Sequence, residues 1–150
     1  ASRAIRTADF LLIRNFKPER LPMGVVYDEN ASAGDLLQNH YLAYPDMDAS
    51  PTKVFLMTNR ESYSEYYDYA FAARPEFELY DLQNDPDQVN NVASSPEYAT
   101  RLEELTDRMM QILEETDDPR VIGDGKAFDR IPYVDPDYPA KEWSKRELKF

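Results

Sequence analysis

The apolar residues Tyr98, Leu102, Leu105, Met109 and Ile112 recur at steps of four, three, four and three, the period of one face of an α-helix. Such a helix is stabilised mainly by burying that face, so another element must cover it. Ser94 followed by Glu97 has the spacing of a capping box, and Pro96 suits a first turn whose amides lack partners inside the helix. The pattern therefore predicts a helix opening at Ser94. Immediately upstream, Phe77-Glu78-Leu79-Tyr80-Asp81-Leu82 alternates as a half-buried strand does, with Phe77, Leu79 and Asp81 on one face and Glu78, Tyr80 and Leu82 on the other. A strand followed by a one-sided helix predicts a helix laid across a sheet.

The remaining strands are expected at the N-terminus. Two runs of β-formers, around Ile5 and over Phe10 to Phe16, flank the turn-forming triplet Thr7-Ala8-Asp9, which predicts a β-hairpin over residues 2–16 that pairs with the strand near 77–82. Lys17-Pro18, Leu21-Pro22 and Gly24 interrupt both helix and strand, so a long loop follows. Short helices are expected over Ser32 to Tyr41, from the Ser50 cap and Pro51 onward, and over Glu61 to Ala73. Val54, Phe55, Leu56 and Met57 are the expected buried side of the second, and Arg74-Pro75 closes the third. Asp85-Pro86 reads as the cap and first position of a short helical turn. Beyond Pro119 the glycines and prolines among charges and aromatics predict an irregular tail. The fold class is α+β: a small antiparallel sheet, a long C-terminal helix packed on it, additional short helices and the tail.

A chain of 150 residues is about one domain and can bury a core without metals or disulfides. It contains no cysteine, which excludes disulfides, thiolate zinc sites and cysteine nucleophiles and leaves the redox compartment open. No run reaches the roughly 18 apolar residues of a membrane span. The first residues lack the apolar stretch of a signal peptide, so the signal of an exported protein would lie upstream of Ala1. The net charge of −12 repels phosphate backbones and anionic membrane surfaces, so neither nucleic acid nor membrane is an expected partner. That charge is uneven: residues 1–20 hold Arg3, Arg6, Arg14, Lys17 and Arg20 against Asp9 and Glu19.

The usual signatures of chemistry are missing. With His40 as the single histidine, a two-histidine metal site is impossible, and no G-x-S-x-G elbow accompanies it. Gly123-Asp124-Gly125-Lys126 lacks the spacing and the strand-to-helix context of a phosphate loop. The acidic pairs Asp46 with Asp48, Asp85 with Asp87 and Asp117 with Asp118 lack the pattern of a calcium loop and are expected to cap turns. Asn30-Ala31-Ser32 is an N-glycosylation sequon in the predicted loop. No catalytic and no metal-binding residue is expected in the segment itself.

Two ordered motifs resemble the sulfatases of the alkaline-phosphatase-like superfamily. Glu78-Leu79-Tyr80-Asp81-Leu82, then Asp85-Pro86, then Asn91-Val92-Ala93, is similar to that family's E-L-Y-D-L-x-x-D-P-x-E-x-x-N-L-A signature, departing from it at Gln88 and Val92. Arg3-Ala4-Ile5-Arg6-Thr7, Asp9-Phe10 and Ile13-Arg14-Asn15-Phe16 resemble its R-x-x-R-T-x-x-x-K-Y-I strand pair. Glu114-Glu115-Thr116-Asp117-Asp118-Pro119 is further similar to the E-T-x-D-P ending of the heparan N-sulfatase, or sulfamidase, branch.

The resemblance spans about residues 3–119 and implies a C-terminal subdomain at 1–119, with a helical insertion about 30–74, followed by an extended tail at 120–150. It also implies a catalytic domain upstream in a parent enzyme that uses formylglycine and Ca²⁺ to hydrolyse sulfate esters or N-sulfates. Formylglycine arises from a C/S-x-P-x-R motif, and Ser94-Ser95-Pro96 is followed here by Glu97-Tyr98 without the arginine. The segment is thus expected to be non-catalytic, with that upstream domain and a sulfated small molecule or glycan as partners. The parent is expected to be exported, to a periplasmic, extracellular or lysosomal space. Sulfate calls for cations and sugar faces call for rings, so the substrate-rim candidates are His40, Arg60, Tyr67 and Arg74. Two rival expectations stand: an interaction or carbohydrate-binding module that docks through the aromatic stretch at 63–71, and a piece of a sister phosphodiesterase or phosphonate hydrolase.

Overall fold

The computed structural model describes residues 2–127, so the expected 120–150 tail lies mostly outside the described residues. Strand β1 (Ser2–Arg6) and strand β2 (Phe10–Asn15) form the N-terminal hairpin, and β3 (Phe77–Asp81) pairs antiparallel with β2, giving the order β1-β2-β3. Thr7 closes the hairpin: its N–H donates to the Phe10 carbonyl at 2.8 Å and its hydroxyl accepts from the Phe10 N–H at 2.9 Å. The register aligns Ile5, Leu12 and Leu79 on one rung, and Leu12 and Leu79 are fully buried. The alternation read in residues 77–82 holds, since Leu79 and Asp81 are buried.

Between β2 and β3 lie three short α-helices. Helix α1 (Ala33–Gln38) opens on a capping box between Ser32 and Asp35, and a 3₁₀ turn at His40–Leu42 follows it. Helix α2 (Pro51–Thr58) opens as expected, with the Ser50 hydroxyl accepting from the Lys53 N–H. Helix α3 (Ser64–Phe71) completes the set. Leu36, Ala43, Tyr44, Val54 and Phe71 form the buried core of this helical part. The buried side of α2 differs from expectation: Lys53 and Val54 are buried, whereas Phe55 is 45% exposed. Only one side of an eight-residue helix can face the core, and Phe55 is turned away from it to stack edge-on with Tyr63 at 4.9 Å.

Helix α4 (Ala99–Glu115) is the long helix, and it starts later than Ser94. Pro96–Tyr98 forms a 3₁₀ turn instead, and Ser95 precedes it without a side-chain cap. The Ser95 N–H is committed to the Val92 carbonyl and its own carbonyl accepts from Tyr98 N–H, so the chain closes a tight turn there rather than an α-helical one. The start of the helix docks on the sheet, with the Tyr98 ring edge-on to Phe10 at 6.1 Å and the Arg101 guanidinium 5.4 Å above the Phe10 ring. Leu105, Met109 and Leu113 are buried, at steps of four, while Ile112 is exposed.

The chain divides into two compact units, one ending at Met109 and one beginning at Met110. In the second, α4 ends in a Schellman motif: Asp117 adopts φ 53°, Asp118 N–H donates to the Leu113 carbonyl and Asp117 N–H to that of Glu114. Asp117 thus serves as the turn residue its acidic pair predicted.

Candidate functional site

The sulfatase-like signature is a set of backbone restraints. Asn91 extends β3 by imitating a neighbouring strand: its Oδ1 accepts from Leu79 N–H at 2.9 Å, its Nδ2 donates to the Phe77 carbonyl at 3.1 Å, and the Val92 N–H donates to the Leu79 carbonyl at 2.8 Å. Asp81 accepts from the Gln83 and Asn84 amides, the Asn84 side chain and the Tyr98 hydroxyl. Those bonds, the Asn84 side chain first, hold its carboxyl below the usual carboxylate range. Asp85 accepts from the Val89 and Asn90 amides, so it caps a turn, as expected of it, although no helix forms there. The motif therefore welds strand, turn and α4 entry together.

The loop after β2 runs antiparallel to the segment after α1. Tyr44 N–H donates to Val25, Tyr27 N–H to Leu42 and Asp46 N–H to Met23, with Val26 bridged to Ala43. At the turn Gly24 has φ 83°, and a Cβ there would meet the Pro45 ring at 2.7 Å, so this close approach requires glycine. Buried Lys53 ties the loop down, donating to the carbonyls of Met47 at 2.7 Å, Tyr44 at 2.9 Å and His40 at 3.4 Å. Burial lowers its pKa, against the pull of Asp48.

Two clefts flank this loop. The first, about 610 Å³, is lined by Tyr44, Tyr67, Arg60, Thr58, Asp28 and Glu29 over an apolar base that includes Leu36 and Met57. Tyr44 holds φ 46°, a left-handed conformation unusual for an aromatic residue, while it stacks on Phe71 at 4.3 Å and shares a 2.5 Å hydrogen bond between hydroxyls with Tyr67. Burial, then the Tyr67 hydroxyl, push its phenol pKa well up, so the Tyr44 hydroxyl is a neutral donor and acceptor at neutral pH. Arg60 lies exposed at the mouth.

The second cleft, about 570 Å³, is lined by Lys17, Arg20 and Arg74 with Asp46 and Glu78 among others. Arg74 also donates to the carbonyls of Asp68 at 3.2 Å and Tyr69 at 2.5 Å at the end of α3. The four rim candidates are thus divided. Arg60 and Tyr67 share the tyrosine cleft, Arg74 lines the cationic one, and His40 lines neither, its ring lying against Tyr41 at 3.9 Å. Sequence reasoning missed Tyr44, Lys17 and Arg20; the basic N-terminal segment was the available signal for the last two. In the 63–71 stretch Phe71 is buried and Tyr67 half-buried, whereas Tyr63, Tyr66 and Tyr69 are exposed.

Among the described residues no three His, Asp or Glu side chains gather as a metal site would, so these residues offer no donor set for the Ca²⁺ the resemblance implies. No helix among them is long and apolar enough to cross a membrane. No family model matches the chain. It is 30% identical over 110 residues to an ulvan-active sulfatase of Formosa agariphila, a match that covers 69% of this chain and 15% of that protein. The chain therefore spans a small part of that relative's length, and over that part it is sulfatase-like.

Proposed function

We propose that this chain is the C-terminal subdomain of a sulfatase of the sulfamidase branch, formed by residues 1–119 with the tail at 120–150, and that it carries no catalytic group. The observation that supports this reading is the match to a sulfatase along 69% of the chain. The structural roles of Asn91 and Asp81, which join β3 to the entry of α4, are those a supporting subdomain would need. Formylglycine and Ca²⁺ would belong to the catalytic domain upstream, which is the chain's first partner, and the parent would be exported.

Within the parent the tyrosine cleft serves as the rim for a sulfated sugar. Half-buried Tyr67 offers its hydroxyl to the saccharide, buried Tyr44 holds that hydroxyl from the core side, and Arg60 meets the anionic substituent. Asp28 and Glu29 accept sugar hydroxyls. In the intact protein, Arg60→Gln is expected to raise KM for a sulfated oligosaccharide about tenfold, the order of one lost charge-assisted contact. kcat, and turnover of 4-nitrophenyl sulfate, should stay within about twofold. An unchanged KM removes the rim role. The exposed Tyr63, Tyr66 and Tyr69 favour a second reading, a carbohydrate-binding module without hydrolase activity. Absence of sulfate release by the intact protein, together with binding of a neutral glycan lost in Tyr66→Ala, would favour it.

A further inference from the structure

The two edges of the sheet are finished differently. Thr7 N–H donates to the Phe10 carbonyl, Asn15 N–H to that of Glu76 and Leu82 N–H to that of Asp9. Facing residues of an antiparallel pair exchange hydrogen bonds at every second rung, so these bonds fix the phase of both ladders. Phe77, Leu79 and Asp81 then direct their backbone groups outward from β3, and Ser2, Ala4 and Arg6 direct theirs outward from β1. The β3 edge is closed: the Phe77 carbonyl accepts from Asn91 Nδ2, Leu79 is taken at its N–H by Asn91 and at its carbonyl by Val92, and the Asp81 carbonyl accepts from the Asn84 and Asp85 amides. The β1 edge is open. The Ser2 carbonyl accepts from the guanidinium of its neighbour Arg3, and among the described residues nothing pairs with the N–H and C=O groups that Ala4 and Arg6 turn outward. Both residues are exposed, and β1 has neither a proline nor a bulge to blunt its edge. Such an edge is a template for one more strand.

The size of the edge decides what can occupy it. Its five residues, at about 3.4 Å each, present an edge roughly 17 Å long. A separate molecule held by that edge alone would fall far short of the roughly 1,200 Å² that stable associations bury. A strand tethered to the same chain needs no such area, because a short connection supplies an effective concentration in the millimolar range. We propose that in the parent enzyme a segment preceding Ala1 adds a fourth strand along β1, so that backbone hydrogen bonds attach the upstream domain to this sheet; the inference rests on the reading of the chain as a C-terminal subdomain. The added strand is antiparallel, since a parallel neighbour needs a crossover of about a dozen residues or more. Arg6 has no ion partner among the described residues, and the strand brings an Asp or Glu opposite or diagonal to it.

Hydrogen exchange on the intact protein, resolved to single amides by fragmentation mass spectrometry, tests it. The Ala4 and Arg6 amides should exchange at least about a hundredfold more slowly than an unstructured reference, within about tenfold of the inward Ile5 amide, and at a rate independent of protein concentration. Fast Ala4 and Arg6 amides beside a slow Ile5 amide would show an open edge in the intact protein and overturn the proposal. Protection that grows with concentration would also overturn it, by naming a second copy as the occupant. A photo-cross-linker placed at the edge, Ala4→p-benzoylphenylalanine, should attach to a peptide that precedes Ala1 in the same molecule; attachment elsewhere overturns the proposal even where the amides are slow. Sulfate release separates this inference from the reading beneath it. An intact protein that releases sulfate but has fast edge amides refutes the added strand alone, whereas slow edge amides without sulfate release refute the sulfatase reading alone.

Discussion

Lys53 is 1% exposed, with its ammonium donating to three loop carbonyls. Lys53→Met keeps the stem and strands those acceptors, so it is expected to lower the unfolding free energy by about 2–4 kcal/mol, read from the denaturant midpoint. Burial lowers its pKa below the usual 10.5, so on raising pH the folded state loses its proton first. Stability should rise as pH climbs through that lowered value toward 10.5, and Lys53→Met should abolish the rise. Asp81 works in the opposite sense. Its pKa is depressed below 3.8, so its contribution is present above that value and disappears as pH falls through the folded value. Asp81→Asn should be less stable than the parent at neutral pH, and acid titration of both should show the gap closing. The acidic residues were legible as caps because an aspartate next to a proline or a turn has few other uses. Lys53 was not, since hydropathy cannot show that three carbonyls from residues 40–47 converge on one ammonium.

At the scale of elements, α4 separates what periodicity can and cannot specify. Leu105→Ala removes a buried side chain and should cost about 2–4 kcal/mol, while Ile112→Ala, on an exposed position, should cost about 0.5 kcal/mol or less. Similar losses for the two would mean that the helix is rotated. The pattern located the helix and its inward residues Leu105 and Met109, then failed over its last turn, because Leu113 and Ile112 are adjacent and equally apolar and only the packing chooses between them. At the other end, Ser94 and Glu97 have capping-box spacing, but Val92 and Ser95 use the backbone in a 3₁₀ turn first. The hairpin and the α2 start were readable because Thr7 and the Ser50-Pro51 pair act on neighbours within three residues.

For the whole molecule, the clefts join segments far apart in sequence, Tyr44 with Tyr67 and Lys17 with Arg74, so residue type alone could nominate Arg60, Tyr67 and Arg74 without grouping them. The α+β architecture was legible because a one-sided helix requires a sheet, and the sulfatase likeness because the signature residues each hold a backbone position. The central claim is that this chain supports a sulfatase without performing its chemistry. Its most direct test is sulfate release from a sulfated disaccharide, measured side by side for the intact protein and for the 150-residue chain alone. Release by the intact protein and none by the chain is the expected result. Release by the chain alone would contradict the account.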